Sequence, residues 1–161
     1  MTFDSNYPND EFFCAVLSGK LLTLEPYSED RDFYKIADLL SDARVTEPMG
    51  IPVPNPYIPQ LNIAKKERME SSDSGDWTIF LNENKEDEQK IFAGETGIAN
   101  WNPEARIVEI FTAIHPDFYG KGFGREATAI LIKHIFSHDP IVKIRTQALE
   151  TNMASIKMAL K

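Results

Sequence analysis

The stretch from Ile107 to Phe136 constrains this chain more than any other, because it reads as strand, glycine-rich turn and helix in immediate succession. Ile107 to Ile114 (IVEIFTAI) is β-branched and apolar apart from Glu109, too apolar on both faces for a strand with one face in water. His115-Pro116-Asp117 ends it, since proline donates no ladder hydrogen bond and pushes the preceding residue out of helical geometry. Gly120, Gly122 and Gly124 follow on alternate positions. Ala127, Ile130, Leu131, His134 and Ile135 then recur at helical spacing, the stripe of an amphipathic helix packed on a sheet. A turn this rich in glycine lets backbone approach a ligand closely. The helix behind it starts with orphan N–H donors at the positive end of its dipole. That suits a phosphate or pyrophosphate, and a plain flexible loop before a core helix stands beside that reading. A Walker loop needs Ser or Thr after Gly-Lys, which Gly120-Lys121-Gly122 does not provide. A dinucleotide fingerprint needs its third glycine farther into the helix, so that pattern fits poorly too.

With 161 residues the chain fits one domain, 1–161, long enough to bury a real core. Seventeen Lys+Arg against twenty-five Asp+Glu leave a formal charge of −8. That balance argues against nucleic-acid and anionic-membrane partners and is compatible with a cationic substrate such as an amine. The single cysteine, Cys14, excludes an internal disulfide and suits a reducing compartment. With no leader pattern and no long apolar run, the expected location is the cytoplasm. Three scattered histidines offer no metal site.

Along the chain, residues 1–10 read as a loose terminus and Phe12 to Leu17 as a short strand. Ser18-Gly19 turns into a second strand from Lys20 to Glu25. Ser28 is placed to cap a helix carrying Phe33, Ile36, Ala37 and Leu40. Five prolines between Arg44 and Pro59 impose a stiff extended loop, read either as a plain connector or as cover for a pocket. Leu61, Ala64, Lys65 and Arg68 mark a short helix. Trp77 to Leu81 and Ile91 to Trp101 are strands flanking the charged run NENKEDEQK, a solvated turn. Ile141 to Leu149 alternates as a strand with one polar face, and Thr151 or Asn152 caps a last helix.

The run HPDFYGKGFGREA closely resembles the acyl-CoA pyrophosphate loop of the GNAT superfamily of N-acetyltransferases, in particular the ribosomal-protein N-terminal acetyltransferase branch. Tyr119, Gly120, Lys121, Gly122, Phe123, Gly124, Glu126 and Ala127 match that branch in order. LSGKLLTLEPYSEDRDFYKIADLLSD resembles its opening strand and helix, and QALETNMASIKMALK resembles its second signature through Asn152 and Ser155. The resemblance implies an α+β fold: three α/β/α layers around a central mixed, mostly antiparallel twisted sheet. It implies acetyl-CoA as co-substrate and a protein N-terminus or small-molecule amine as acceptor. A non-catalytic acyl-CoA-binding module of the same fold is the alternative.

The same resemblance places backbone groups of Thr112, Ala113 and Ile114 beside pantetheine. It places Tyr119 to Gly124 around the pyrophosphate, with Lys121 and Arg125 available to its charge. Glu109, a lone carboxylate in an apolar strand, is a candidate general base. The bland reading pairs it with Arg106 or Arg145, and Glu95 is a second candidate. The branch commonly draws its general acid from a tyrosine on the last helix. This chain has none after Tyr119, which leaves Ser155 for that role and Asn152 as a cofactor contact; plain helix capping explains both equally. The family pattern continues past Lys161 into two more strands. That leaves a truncated chain, a partner subunit that supplies the edge, or a degenerate member, and the expectation is a truncated chain or a homodimer.

Overall fold

β5 (Ile107–Ile114) is the strand from which the sheet can be traced in both directions. The computed structural model describes residues 7–51, 58–82, 90–138, 141 and 143–160. Its six-stranded sheet runs in the order β1-β2-β3-β4-β5-β6. β1 (Leu17–Ser18), β2 (Leu22–Pro26), β3 (Gly75–Leu81), β4 (Phe92–Asn102) and β5 are antiparallel neighbours. β6 (Lys143–Arg145) lies parallel to β5, and α5 (Phe123–Phe136) supplies the crossover that a parallel pair needs. The fold is thus the expected α+β arrangement, a mostly antiparallel mixed sheet with helices on both faces.

One face of the sheet is apolar. Ala127, Leu131 and Ile135, four residues apart on α5, are fully buried in one cluster with Leu22, Leu24, Val108 and Ile110. Burying each Leu or Ile contributes about 1.5–3 kcal/mol. The end of this face is closed by α1 (Asp10–Phe13), where a strand was expected. Asn9 caps it by accepting the Phe12 N–H at 3.0 Å. The Phe12 ring stacks on His134 at 4.0 Å and meets Trp101 edge-on at 5.5 Å. Local capping and the burial of one ring outweigh β propensity here, and only Leu17 and Ser18 remain as strand.

The opposite face carries α2 (Glu29–Ser41), α3 (Ala43–Thr46) and α4 (Ile58–Glu70). Phe33, Ala37 and Leu61 form one small cluster, and Leu39, Val45 and Ala113 another. Polar groups fix much of the rest. Ser28 is the N-cap residue of α2, but its side chain makes no capping bond. Its backbone N–H instead donates to Asp32 Oδ2 at 3.0 Å. Asp32, fully buried, also accepts from Thr78 Oγ1 at 2.7 Å and Arg31 Nε at 2.7 Å.

The last strand is shorter than its alternation suggests. Residues 146–149 leave the sheet exposed, and Leu149 comes to rest against Gly50. α6 (Met153–Ala159) follows as expected. The proline-rich segment at 52–57, the charged run at 83–89, the opening residues 1–6 and Val142 lie outside the described residues.

Burial opposes ionisation of Asp32, but its bonds from Arg31, Ser28 and Thr78 outweigh that and hold the carboxyl below the usual range. Asp32→Ala should lower stability by about 2–3 kcal/mol in denaturant titration, because it strands the Ser28 N–H and the Thr78 hydroxyl. A carboxyl depressed by folding stabilises fully above its unfolded pKa and loses that contribution as pH falls through the folded one. Wild-type stability should therefore fall below about pH 5, and Asp32→Asn should fall less steeply.

Candidate active site

The sheet opens beside β5. β6 pairs with it only over Ile107, Val108 and Glu109, opposite Lys143, Ile144 and Arg145. Among the described residues, Ile110 to Ile114 have no strand partner on that edge. The His115 N–H donates to the Ala93 carbonyl at 2.7 Å, and Ala113 stands opposite Glu95. The alternation of an antiparallel ladder then turns the N–H and C=O groups of Ile110, Thr112 and Ile114 to the open edge. Those of Phe111 and Ala113 point into β4, and the Phe111 carbonyl also accepts from Thr96 Oγ1 at 2.7 Å. Of the three residues expected beside pantetheine, Thr112 and Ile114 turn backbone groups to this edge. Ala113 spends its groups within the sheet, and Ile110 takes its place.

This open edge leads through a 3-10 turn (Pro116–Phe118) into the glycine loop. Gly120 and Gly122 have φ of +75° and +84°, a left-handed conformation that favours glycine. A Cβ at either would meet no atom within 4 Å, so conformation and not crowding requires them. Gly122 is the N-cap of α5 and offers no side-chain acceptor, so the first N–H groups of the helix have no capping side chain. At Gly124 a Cβ would lie 3.4 Å from Ile114 Cγ1 and 3.7 Å from Met158 Sδ, ordinary van der Waals contact, so neither crowding nor conformation requires glycine there. Phe123 buries its ring in the core beside Phe118, leaving its backbone to the loop. Lys121 and Arg125 are exposed, with Lys121 Nζ 5.3 Å from the Phe118 ring centroid. Tyr119 is 49% exposed and donates its hydroxyl to the Arg44 carbonyl at 3.2 Å.

The open β5 edge offers hydrogen bonds to an extended chain, and the glycine loop offers backbone N–H groups to an anion. α6 flanks the same region, with Met158 against Gly124 and within 3.7 Å of Thr128 Oγ1. Asn152 uses both ends of its amide within the protein. Its Oδ1 accepts the Ser155 N–H at 3.2 Å, and its Nδ2 donates to the Pro48 carbonyl at 3.1 Å. Ser155 is half-buried in the first turn of α6.

The two carboxylates singled out in the sequence differ sharply. Glu109 sits where β5 and β6 part, with its side chain 23% exposed, and is bound by Arg145 and Asn100. Glu95 is enclosed, with Lys65 Nζ 2.5 Å from its Oε2. Lys65 also bonds Asp76 at 2.8 Å, and Arg68 reaches Asp76 at 2.6 Å and the Ile98 carbonyl at 2.7 Å. Burial pushes the Glu95 carboxyl up, against the pull of Lys65. Burial would lower the Lys65 ammonium, but Glu95 and Asp76 outweigh it and hold it high. This cluster clamps α4 to β3 and β4. Its two cations, Lys65 and Arg68, lie on the helix that the sequence marked through Leu61, Ala64, Lys65 and Arg68, but the burial of Lys65 was not readable there.

Together, the parted strands, the open backbone edge and the glycine turn define an acyl-CoA-dependent acyltransferase architecture. The sequence profile of the acetyltransferase (GNAT) domain matches residues 22–161, and the chain belongs to that family as an acetyl-CoA-dependent acetyltransferase. No curated protein matches it in sequence. Solved structures share the fold at low identity. RimL, a ribosomal L7/L12 α-N-protein acetyltransferase, is 14% identical with a TM-score of 0.74, covering 95% of this chain and 82% of its own. Spermidine N-acetyltransferase from Vibrio cholerae, solved with CoA and spermine, is 19% identical with a TM-score of 0.73, covering 86% and 78%. A domain from Methanocaldococcus jannaschii is 18% identical with a TM-score of 0.73, covering 88% and 86%. No helix among the described residues is long and apolar enough to cross a membrane.

Lys65→Met should cost about 3–5 kcal/mol, because it leaves Glu95 and Asp76 buried without their shared cation. Adding Glu95→Gln should recover part of that loss, as paired chemical denaturation curves of the two variants would show.

Proposed function

We propose that the chain moves the acetyl group of acetyl-CoA to a primary amine by direct attack, with the thioester seated where β5 and β6 part. The observation that carries this reading is the continuous path from the unpaired β5 edge to the uncapped glycine turn. Thr112 and Ile114 hold the pantetheine amides, and the backbone of Gly120 to Gly124 cradles the pyrophosphate, with Lys121 and Arg125 supplying charge. A backbone N–H on the same edge polarises the thioester carbonyl and stabilises the oxyanion. The amine nitrogen attacks the carbonyl carbon, the C–S bond breaks, and the thiolate leaves. Glu109 takes the proton that the nitrogen loses, and Ser155 relays a proton from solvent to the sulfur, regaining its own as it gives one. Asn152 holds α6 beside the acyl chain. Fold likeness to enzymes named for a ribosomal protein and for spermidine supports an acceptor that is a protein N-terminus or a polyamine-like small molecule. The single cysteine supports a cytoplasmic setting, and the outer edge of β6 supports pairing with a second copy.

Calorimetric titration with acetyl-CoA should show binding in the micromolar range, and Gly122→Glu, which puts a carboxylate and a side chain into the left-handed loop, should abolish it. Thiol release with a panel of primary amines should fall on the order of a hundredfold in Glu109→Gln and about tenfold in Ser155→Ala. Tight acetyl-CoA binding without turnover on any amine would refute the transferase reading. Unchanged binding in Gly122→Glu would refute the loop assignment.

A further inference from the structure

Three side chains from three neighbouring strands converge where β5 and β6 part, and the reaction described above uses only one of them. Asn100 Nδ2 donates to Glu109 Oε2 at 2.8 Å, and Arg145 Nη1 reaches Glu109 Oε1 at 3.2 Å. One carboxylate is therefore gripped at both oxygens, by an amide from β4 and a guanidinium from β6. The grip depends on an irregular backbone. Asn100 has φ +53°, and the β4–β5 register slips between Ala99 and Asn102. Non-glycine residues seldom hold that conformation, and it persists where surrounding contacts fix it. In the unbroken register Asn100 would stand opposite Val108, whose side chain is in the core against α5. The bulge re-aims it to the face that Glu109 shares with Phe111. Arg145 is opposite Glu109 and is the last residue of β6 to pair with β5, so its guanidinium marks the apex of the opening.

We propose that Asn100 and Arg145 are positioning residues that hold the Glu109 carboxylate at the apex of the opening, in the orientation that takes a proton from the acceptor amine. This rests on Glu109 acting as the base. A free glutamate side chain samples several rotamers, and two bonds to opposite oxygens leave it one. Each carboxylate oxygen has two acceptor sites, so both bonds can persist while an amine approaches. The guanidinium also balances the charge of a carboxylate whose side chain is only 23% exposed. A mere clip between β5 and β6 would make the same contacts, so the test must separate stability from turnover.

Acetyl-CoA affinity by calorimetry, and kcat and KM for thiol release with a free α-amino peptide and with spermidine, should be measured for Arg145→Met, Arg145→Lys, Asn100→Gly, Glu109→Gln and Arg145→Met/Glu109→Gln. Arg145→Met should lower kcat on the order of tenfold to a hundredfold with acetyl-CoA affinity unchanged. Arg145→Lys should recover part of it, as a single-point donor does. Asn100→Gly keeps the left-handed backbone while removing the amide, so it should fold normally and lose kcat severalfold; it carries the test if Arg145→Met is unstable. In the Glu109→Gln background, Arg145→Met should cause no further loss, because both changes disable one group. Full kcat in Arg145→Met and Asn100→Gly, or an undiminished Arg145→Met effect in the Glu109→Gln background, overturns the proposal while leaving the base intact. Full activity in Glu109→Gln, or no wild-type turnover with either amine, overturns the base assignment and this proposal with it.

Discussion

Backbone groups that pair with no strand among the described residues, at the open edge of β5, are the constraint on which the rest of the structure depends. A peptide N–H or C=O shut away from water without a hydrogen bond costs about 1–3 kcal/mol, so whatever covers the edge of Ile110, Thr112 and Ile114, where no strand runs among the described residues, must bond to it. The other side of the same strand is fully used by β4. β5 is therefore a firm wall with one finished side and one side that asks for an extended, amide-bearing ligand. The glycine turn lies at its end because the chain must reverse there to bring α5 back across the sheet. The reversal that closes the fold also exposes the uncapped start of the helix.

The two faces of the sheet are held by different physics. Under α5 the contacts are apolar and interchangeable within volume. Under α2 and α4 they are directional: Lys65 between Asp76 and Glu95, Arg68 on Asp76, and Asp32 on Thr78. Buried ion pairs are weak sources of net stability, but breaking one by removing a partner is costly. Their effect here is to register α4 on the sheet, and Arg68, 5.3 Å from the Phe111 ring, carries that registration to β5 itself.

Much of this was legible in the sequence because periodicity and glycine spacing are local. The pattern from Ile107 to Phe136 specified strand, turn and helix with boundaries close to those observed. What stayed hidden was set by partners distant in the chain. Phe12 looked like a strand residue until His134, more than a hundred positions away, supplied a ring to stack on. Residues 146–149 kept the alternation of a strand but found no strand to pair with among the described residues. Ala113 could be separated from Thr112 and Ile114 only once the register with β4 was known. Asn100 gave no signal, because a bulge that turns an asparagine onto Glu109 has no composition of its own.

The aromatic cluster beneath α1 has a practical side. The chain has two tryptophans, and both lie there: Trp77 is 5.9 Å from His134, and Trp101 is 5.5 Å from both Phe12 and His138. The cluster sits at the C-terminal end of α5, about 20 Å along the helix from the glycine turn. Intrinsic indole emission from this protein is thus a gauge of whether the N-terminal turn is seated.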